Sequence, residues 1–428
     1  MELQNAYFLL SPGSAIVALL TAVFLATQAW PHIFRSKRTF KLTDDCPLTP
    51  NERSSSALNV SKEPEVPEGW WSSKEIFELE RRGLFSKSWL YLAHSTQFSK
   101  SGAYQSFNIA GFSIFLIRGK DNQIRAFHNI CRHRAYSITK KETGASTVLG
   151  CRYHGWSYDT TGRLVKAPQF DDVPGFDKSE NGLFEIHTHV TDFGYVFVNL
   201  NAGSCPTLDD SKISALNDFV HAACPGKKSE WVTGKTLSGN FNWKMTTIPN
   251  HHTNITTQLE ERMSKVTTPS LFTKVVRALS SNSSHASCSL FPATLLYSFA
   301  DSDFWIALSF LPVSETITQV RYDLFDGSRN LEETKDTLTT ALDNVMQDLV
   351  RDTENHFLSI FDIDTQISPI TRQVVDCLQG HSTLEKKTGG LIFPAMHQPK
   401  GSSLFQQAEQ LCKEIDCAGS GAPGKLEW

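Results

Sequence analysis

The feature that most constrains this chain is a pair of Cys–His couples: Cys131-Arg-His133 and, past positions 134–150, Cys151-Arg-Tyr-His154. A two-iron cluster of mixed ligation needs two thiolates on one iron and two neutral imidazoles on the other. A C-x-H loop facing a C-x-x-H loop meets that need when both spring from a β scaffold, each loop giving one ligand to each iron. Imidazole in place of thiolate lowers the negative charge of such a cluster and raises its potential. The outer imidazole edges can also protonate, which couples electron to proton movement. Two other readings stand beside this one: unrelated Cys–His pairs, and a Cys₂His₂ zinc site. A zinc finger wants a helix bearing spaced histidines, whereas Gly150, Gly155 and Gly162 mark turns between strands. Gly155 beside His154 also lets backbone N–H groups approach the sulfurs.

With 428 residues the chain has room for two domains, each with its own core. A formal net charge of −4 provides no large basic field, which excludes nucleic acid as a partner. The nine cysteines, an odd number scattered from Cys46 to Cys417, do not form a secreted disulfide framework. The chain has neither a glycine-rich dinucleotide fingerprint nor a second, ferredoxin-type cysteine set. NAD(P)H and flavin chemistry therefore belongs to a separate protein.

Residues 1–34 differ from the rest. No charged side chain lies between Glu2 and Arg35, Tyr7 to Trp30 is mostly apolar, and Arg35, Lys37 and Arg38 follow at once. This pattern predicts a single membrane-spanning anchor with the body facing the cytoplasm. A cleaved signal peptide is the alternative, but Glu2 and the lack of Lys or Arg ahead of the apolar run argue against it. Residues 35–66, with Pro47, Pro50 and Pro64, read as a linker. Ser73 can cap a short helix over Ser73–Phe85. Short strands follow at Ser113–Arg118, Ile124–Asn129, Val148–Cys151 and Gly194–Asn199, making an antiparallel β domain. A second β-rich region spans Thr294–Phe325. A long amphipathic helix over Leu331–Phe361 carries Leu338, Leu342, Val345, Leu349 and Phe357 on one side. The fold class is α+β, divided as anchor 1–34, linker 35–66, β domain 67–204 and second domain 205–428.

The run Ala126-Phe-His-Asn-Ile-Cys-Arg-His-Arg134, followed by Cys151-Arg-Tyr-His-Gly-Trp-Ser-Tyr158, resembles the Rieske non-haem iron oxygenases. The branch it resembles is the choline-monooxygenase-like and ring-hydroxylating α-subunit type. The resemblance continues through Gly162-Arg-Leu164, Ala167-Pro168, Phe197-Val-Asn-Leu200 and Asn242-Trp243-Lys244. It implies a Rieske [2Fe–2S] domain held by Cys131, His133, Cys151 and His154, followed by a helix-grip (START-like) catalytic domain. It also implies a homotrimer, a separate NAD(P)H-dependent reductase or ferredoxin, and O₂ with a small organic substrate. A biosynthetic tailoring step is the expectation by analogy.

The same resemblance implies a mononuclear Fe(II) on two histidines and a carboxylate. Its motif of Asn-Trp-Lys, a bridging acid and His-x₄-His puts the acid near His252, the first histidine on Ile255 or Thr256, and the second on Glu260 or Glu261. No register supplies two histidines at the required spacing. Asp352 and Asp376 are candidates for the third ligand. His251 and His252 are either ordinary polar residues at a helix start or, for one of them, part of a rearranged iron site, with His252 the catalytic candidate. Neighbouring helical residues point roughly 100° apart, so the two would not share one ion. His187 and His189 lie on one face of a strand-like stretch and read as ordinary strand residues. Arg132 and Arg134 either pair with an acidic partner or cover the cluster loop, and the Trp70–Trp71 pair belongs to a core or packs on the anchor.

Overall fold

The computed structural model describes residues 66–170, 173–223, 229–248, 251–263, 286–299, 304–326, 335–359 and 368–394. The chain divides into two units, 1–62 and 63–428, and the described residues all belong to the second. The expected anchor at 1–34 and nearly all of the expected linker at 35–66 lie outside them. The expectation of a single-pass membrane protein with a cytoplasmic body is overturned: among the described residues no helix is long and apolar enough to cross a membrane.

Helix α1 (Lys74–Glu80) starts where Ser73 accepts a hydrogen bond from the Ile76 N–H at 3.2 Å. It runs on into a wider-wound turn at Arg81–Phe85. Ten strands follow: β1 (Leu90–His94), β2 (Ala103–Ile109), β3 (Phe112–Arg118), β4 (Ile124–His128), β5 (Thr143–Ala145), β6 (Val148–Gly150), β7 (Ser157–Asp159), β8 (Leu164–Lys166), β9 (Glu185–Val190) and β10 (Tyr195–Asn199). They form a seven-stranded sheet in the order β1-β10-β9-β4-β3-β2-β5 and a three-stranded sheet β6-β7-β8, with every pairing antiparallel. Along β2 the side chains of Ala103, Gln105, Phe107 and Ile109 are buried while those between are not, the period-two pattern of a half-covered strand. The central run Ile114–Ile117 of β3 is buried without interruption, because both faces of that strand are covered.

Beyond α2 (Asp210–Ala223) come β11 (Glu230–Gly239), α3 (His251–Met263), β12 (Ser287–Leu290), β13 (Thr294–Ser298), β14 (Phe304–Pro312) and β15 (Thr318–Asp326). These strands make a five-stranded antiparallel sheet in the order β11-β15-β14-β13-β12. Helices α4 (Lys335–Ser359) and α5 (Pro369–Thr388) follow. Strand β14 faces two ways: Ile306, Leu308 and Phe310 join the core containing Leu338, Leu342, Val345 and Leu349 of α4, while Trp305 and Ala307 join α2, Tyr91 and Tyr195. The molecule is therefore mixed α/β with antiparallel sheets, and the long helix read from the sequence keeps its apolar stripe.

Trp70 and Trp71 are core residues, at 3% and 9% exposure. The Asn242-Trp243-Lys244 element explains why. Asn242 donates to the backbone carbonyls of Trp71 (3.0 Å) and Glu315 (2.7 Å). The Lys244 ammonium meets Glu80 at 2.5 Å and stands 4.7 Å above the Trp70 ring, while the Trp243 N–H donates to the same Glu80 carboxylate at 2.7 Å. This buried ion pair ties α1 to the segment leading into α3.

Candidate metal centre

Two loops present the four predicted ligands, and they are built alike. In the first, the Cys131 N–H donates to the Tyr136 carbonyl (2.8 Å) and the Cys131 carbonyl accepts from the Ala135 N–H (3.0 Å). In the second, the Cys151 N–H donates to the Trp156 carbonyl (2.8 Å) and the Cys151 carbonyl accepts from the Gly155 N–H (3.0 Å). Each ring closes through a left-handed residue, Ala135 at φ 54° and Gly155 at φ 75°. Glycine adopts that conformation freely, whereas alanine must be held in it. The first loop is held by Asn129, whose Oδ1 accepts from the N–H groups of Ile138 and Thr139, each at 2.9 Å, and whose Nδ2 donates to the Thr139 carbonyl at 3.0 Å.

The loops bring Cys131 and Cys151 together in a buried core with Trp156, Tyr158 and Phe170. The two thiols lie close enough to share a proton. Cys131 acting as donor pulls the Cys151 thiol down to about 6, while the same contact pushes Cys131 up. The Tyr158 hydroxyl lies 3.3 Å from the Cys131 sulfur and accepts from the Arg132 N–H at 3.1 Å. The His133 and His154 rings stand 4.5 Å apart. His133 stacks on the indole of Trp156 at 5.1 Å with 10° between the planes. Burial lowers the His133 imidazole to about 4, and it lowers His154 as well, with the Arg134 charge acting in the same direction. Neither ring nitrogen of His133 has a hydrogen-bond partner, although both are buried. Two such nitrogens carry a desolvation cost that a bound group would repay.

Two sulfurs on one side and two imidazoles on the other fit a cluster that takes two protein ligands per iron. Among the described residues no three His, Cys, Asp or Glu side chains converge on one ion, as a zinc site would need. His187 and His189 pair across to Asn199 and Phe197 as ordinary residues of β9. Arg132 stacks on Phe184 at 4.0 Å, so it covers the loop. Trp156, Tyr158 and Asn129 are the site residues that the spacing argument missed. The first two stand in the same motif run as Cys151 and His154.

His252 joins none of these contacts. It sits on α3 with Nδ1 3.4 Å from the Ser289 hydroxyl, and burial lowers it to about 4. The buried face of α3 is His251, Ile255, Leu259 and Met263, a four-residue repeat that places Ile255 in the core at 3% exposure. Glu260 accepts a hydrogen bond from the Tyr297 hydroxyl at 2.6 Å. Asp352 is exposed, 3.5 Å from Arg262, and Asp376 is exposed on α5. His251 is lowered to about 3, first by burial and then by His252 and His356, and its Nε2 is unpartnered. These residues do not fit a two-histidine, one-carboxylate iron.

Twin Cys–His loops raised on an antiparallel β scaffold are the arrangement that a mixed-ligand [2Fe–2S] cluster needs. In agreement, residues 88–177 match the Rieske [2Fe-2S] domain family. The chain is 32% identical over 180 residues to the carnitine monooxygenase oxygenase subunit of Escherichia coli, a match covering 42% of this chain and 47% of that one. Over 193 residues it is 36% identical to the 2-aminobenzenesulfonate 2,3-dioxygenase subunit alpha of an Alcaligenes species, covering 42% and 46%. It thus spans about half the length of the curated relatives it matches. The fold matches more of the chain. The quaternary ammonium Rieske monooxygenase CntA, solved with L-carnitine, superposes with a TM-score of 0.56 at 21% identity, covering 74% of this chain and 95% of that one. Naphthalene 1,2-dioxygenase with indole gives 0.55 at 15% identity, covering 69% and 80%. The chain is a Rieske-domain protein on the Rieske-oxygenase fold.

Proposed function

We propose that Cys131, His133, Cys151 and His154 hold a [2Fe–2S] cluster, and that the chain is an oxygenase-type Rieske oxidoreductase. In this reading it takes electrons from a separate NAD(P)H-dependent reductase or ferredoxin and directs them to the oxidation of a small organic substrate with O₂. The observation that carries it is the pair of matched loops, with Cys131 and Cys151 buried in one core and both His133 nitrogens unpartnered. A cluster of this ligation supplies a one-electron store at a raised potential. The residues of the chain would shield it on one side: Trp156 and Phe170 wall in His133, while His154 is half-buried. The names of the relatives support the activity and a small organic substrate. We take residues 67–204 as the Rieske domain and 205–428 as a helix-grip domain, assembled as a homotrimer.

A second reading has its own observation. Ile255 in the core and Glu260 bound to Tyr297 occupy the positions where the resemblance expects iron-ligating histidines. That arrangement favours a cluster-only electron carrier on an oxygenase fold.

Metal analysis of anaerobically prepared protein separates the two. Both readings expect the paramagnetic signal of a reduced mixed-ligand cluster, lost in His133→Ala and Cys151→Ala; its absence from the parent protein sinks both. About two irons per chain, with none outside the cluster, assigns the carrier role. About three, with a high-spin ferrous signal that His252→Ala removes, assigns the oxygenase.

A further inference from the structure

Residues of the first Cys–His loop other than Cys131 and His133 line a cleft of about 980 Å³, bounded on its other side by β11, the end of β14 and β15. Its charge is one-sided. Arg134, Lys140 and Lys141 stand on the loop wall, and the lining holds a single acid, Glu142. The fourth cation of the lining, Arg321, is already bound, by Asp323 at 2.8 Å and by Glu142 at 3.2 Å. The Arg321 end therefore sets two acids against one cation, while the loop wall sets out three cations. Phe107, Leu237 and Leu311 add apolar surface. A cleft of this volume exceeds what an inorganic ion fills, and its charged wall beside apolar surface suits a molecule with an anionic head and a carbon body. The guanidinium fork of Arg134 matches such a head, and the acids about Arg321 oppose a second one.

We propose that this cleft binds a small organic monoacid, its carboxylate or sulfonate on the Arg134–Lys140–Lys141 wall and its carbon body against Leu237 and Leu311, and that the acid binds more tightly when the cluster is oxidised. The coupling rests on the cluster assignment above; the site itself does not. The wall that would take the acid is the one that shapes the first loop. The Tyr136 carbonyl accepts from the Cys131 N–H, and the Ala135 N–H donates to the Cys131 carbonyl. The Arg134 charge also acts on both imidazoles, His133 and His154. An acid on Arg134 offsets that positive charge, whereas reduction adds negative charge to a cluster, so the two events oppose each other. Linkage makes the opposition reciprocal: what favours the oxidised cluster is favoured by it.

Benzoate, hexanoate and benzenesulfonate are titrated into the full-length protein by calorimetry, with benzamide, adipate and inorganic phosphate beside them. At least one of the three monoacids is expected to bind in the millimolar range or tighter, and at least tenfold more tightly than benzamide or phosphate. Ser238→Glu, an exposed position of the cleft on β11 rather than on a cluster loop, and Lys141→Gln should each weaken that binding at least fivefold without changing the cluster spectrum. In redox titrations, saturating acid is expected to lower the midpoint potential by about 40 mV, the equivalent of roughly fivefold tighter binding to the oxidised state. Ser238→Glu should shrink that shift at the same acid concentration. No binding by any of the three acids, binding matched by benzamide or phosphate, or an affinity that neither variant moves overturns the site. Adipate binding far more tightly than hexanoate overturns the single-headed ligand. Binding that leaves the potential in place or raises it overturns the coupling. A parent chain with no cluster spectrum sinks the cluster reading instead, and the calorimetry then still decides the site.

Discussion

At the scale of single residues, the candidate site rests on groups whose roles differ in how far the sequence exposes them. The proposed ligands Cys131, His133, Cys151 and His154 stand out in the sequence because ligand chemistry fixes both residue type and spacing. Trp156 and Tyr158 were not, since stacking on His133 and contact with Cys131 join positions that only the folded loops bring together. Tyr158 offers a measurable case. Its hydroxyl accepts from the Arg132 N–H, which leaves its own proton to be donated to the Cys131 sulfur at 3.3 Å. Such a bond stabilises negative charge on sulfur, and the reduced cluster carries more of it. Tyr158→Phe is therefore expected to leave the cluster in place and lower its midpoint potential. A bond worth about 1 kcal/mol corresponds to a drop of roughly 40 mV for one electron. Protein-film voltammetry reads the change, and a potential that stays put or rises removes Tyr158 from the tuning role.

At the scale of elements, long periodic segments were readable and their connections were not. The stripe from Leu338 to Phe357 gave α4 directly, because a helix of that length can bury an apolar face only at its own period. The wider turn at Arg81–Phe85 left no periodic sign; its Gly83 lies where an added Cβ would be 2.8 Å from the Cβ of His381 on α5. The expected iron helix shows the same limit. Motif position marked Ile255 and Glu260 as wrong for ligands, but only the packing of α3 shows that Ile255 belongs to the core. Nor did the sequence reveal what Asn242-Trp243-Lys244 does, because its partner Glu80 lies far away in the chain. Burial alone would push the Lys244 ammonium down, and the Glu80 charge opposes that. Removing one member of a buried pair strands the other, at a cost of about 3–5 kcal/mol. Lys244→Met is expected to lower the urea midpoint accordingly. Glu80→Gln added to Lys244→Met should recover much of the loss, because glutamine can still accept from Trp243 without a stranded charge. A double variant no more stable than Lys244→Met would mean that packing, not charge, sets the cost.

At the scale of the whole molecule, the two large sheets meet across a buried histidine. His94 ends β1 of the seven-stranded sheet, and its ring packs against Trp305 and Phe325 of the five-stranded sheet at 6.2 and 5.2 Å. Its nitrogens are both engaged, Nδ1 with the Thr96 hydroxyl and Nε2 with the Phe193 carbonyl, each at 2.8 Å. A neutral ring that donates from Nε2 and accepts at Nδ1 satisfies both contacts; a protonated ring cannot accept. Burial lowers this imidazole from 6.5 to about 4, against a smaller opposing effect of the Phe193 carbonyl. The folded chain thus resists a proton that the unfolded chain takes up near pH 6.5. Above that pH the group has no effect on the slope. Between about 6.5 and 4 the unfolded state binds more protons, so stability falls as pH falls, by about 3 kcal/mol from this one group. His94→Phe keeps the aromatic contacts and removes the proton uptake, at the cost of leaving the Phe193 carbonyl unpaired. Its unfolding free energy should start lower at pH 7 and decline less steeply to pH 4.5 than that of the parent chain. Parallel pH profiles for the two proteins would show that the sheet junction tolerates a charged His94, and the acid sensitivity would then have to come from elsewhere in the fold.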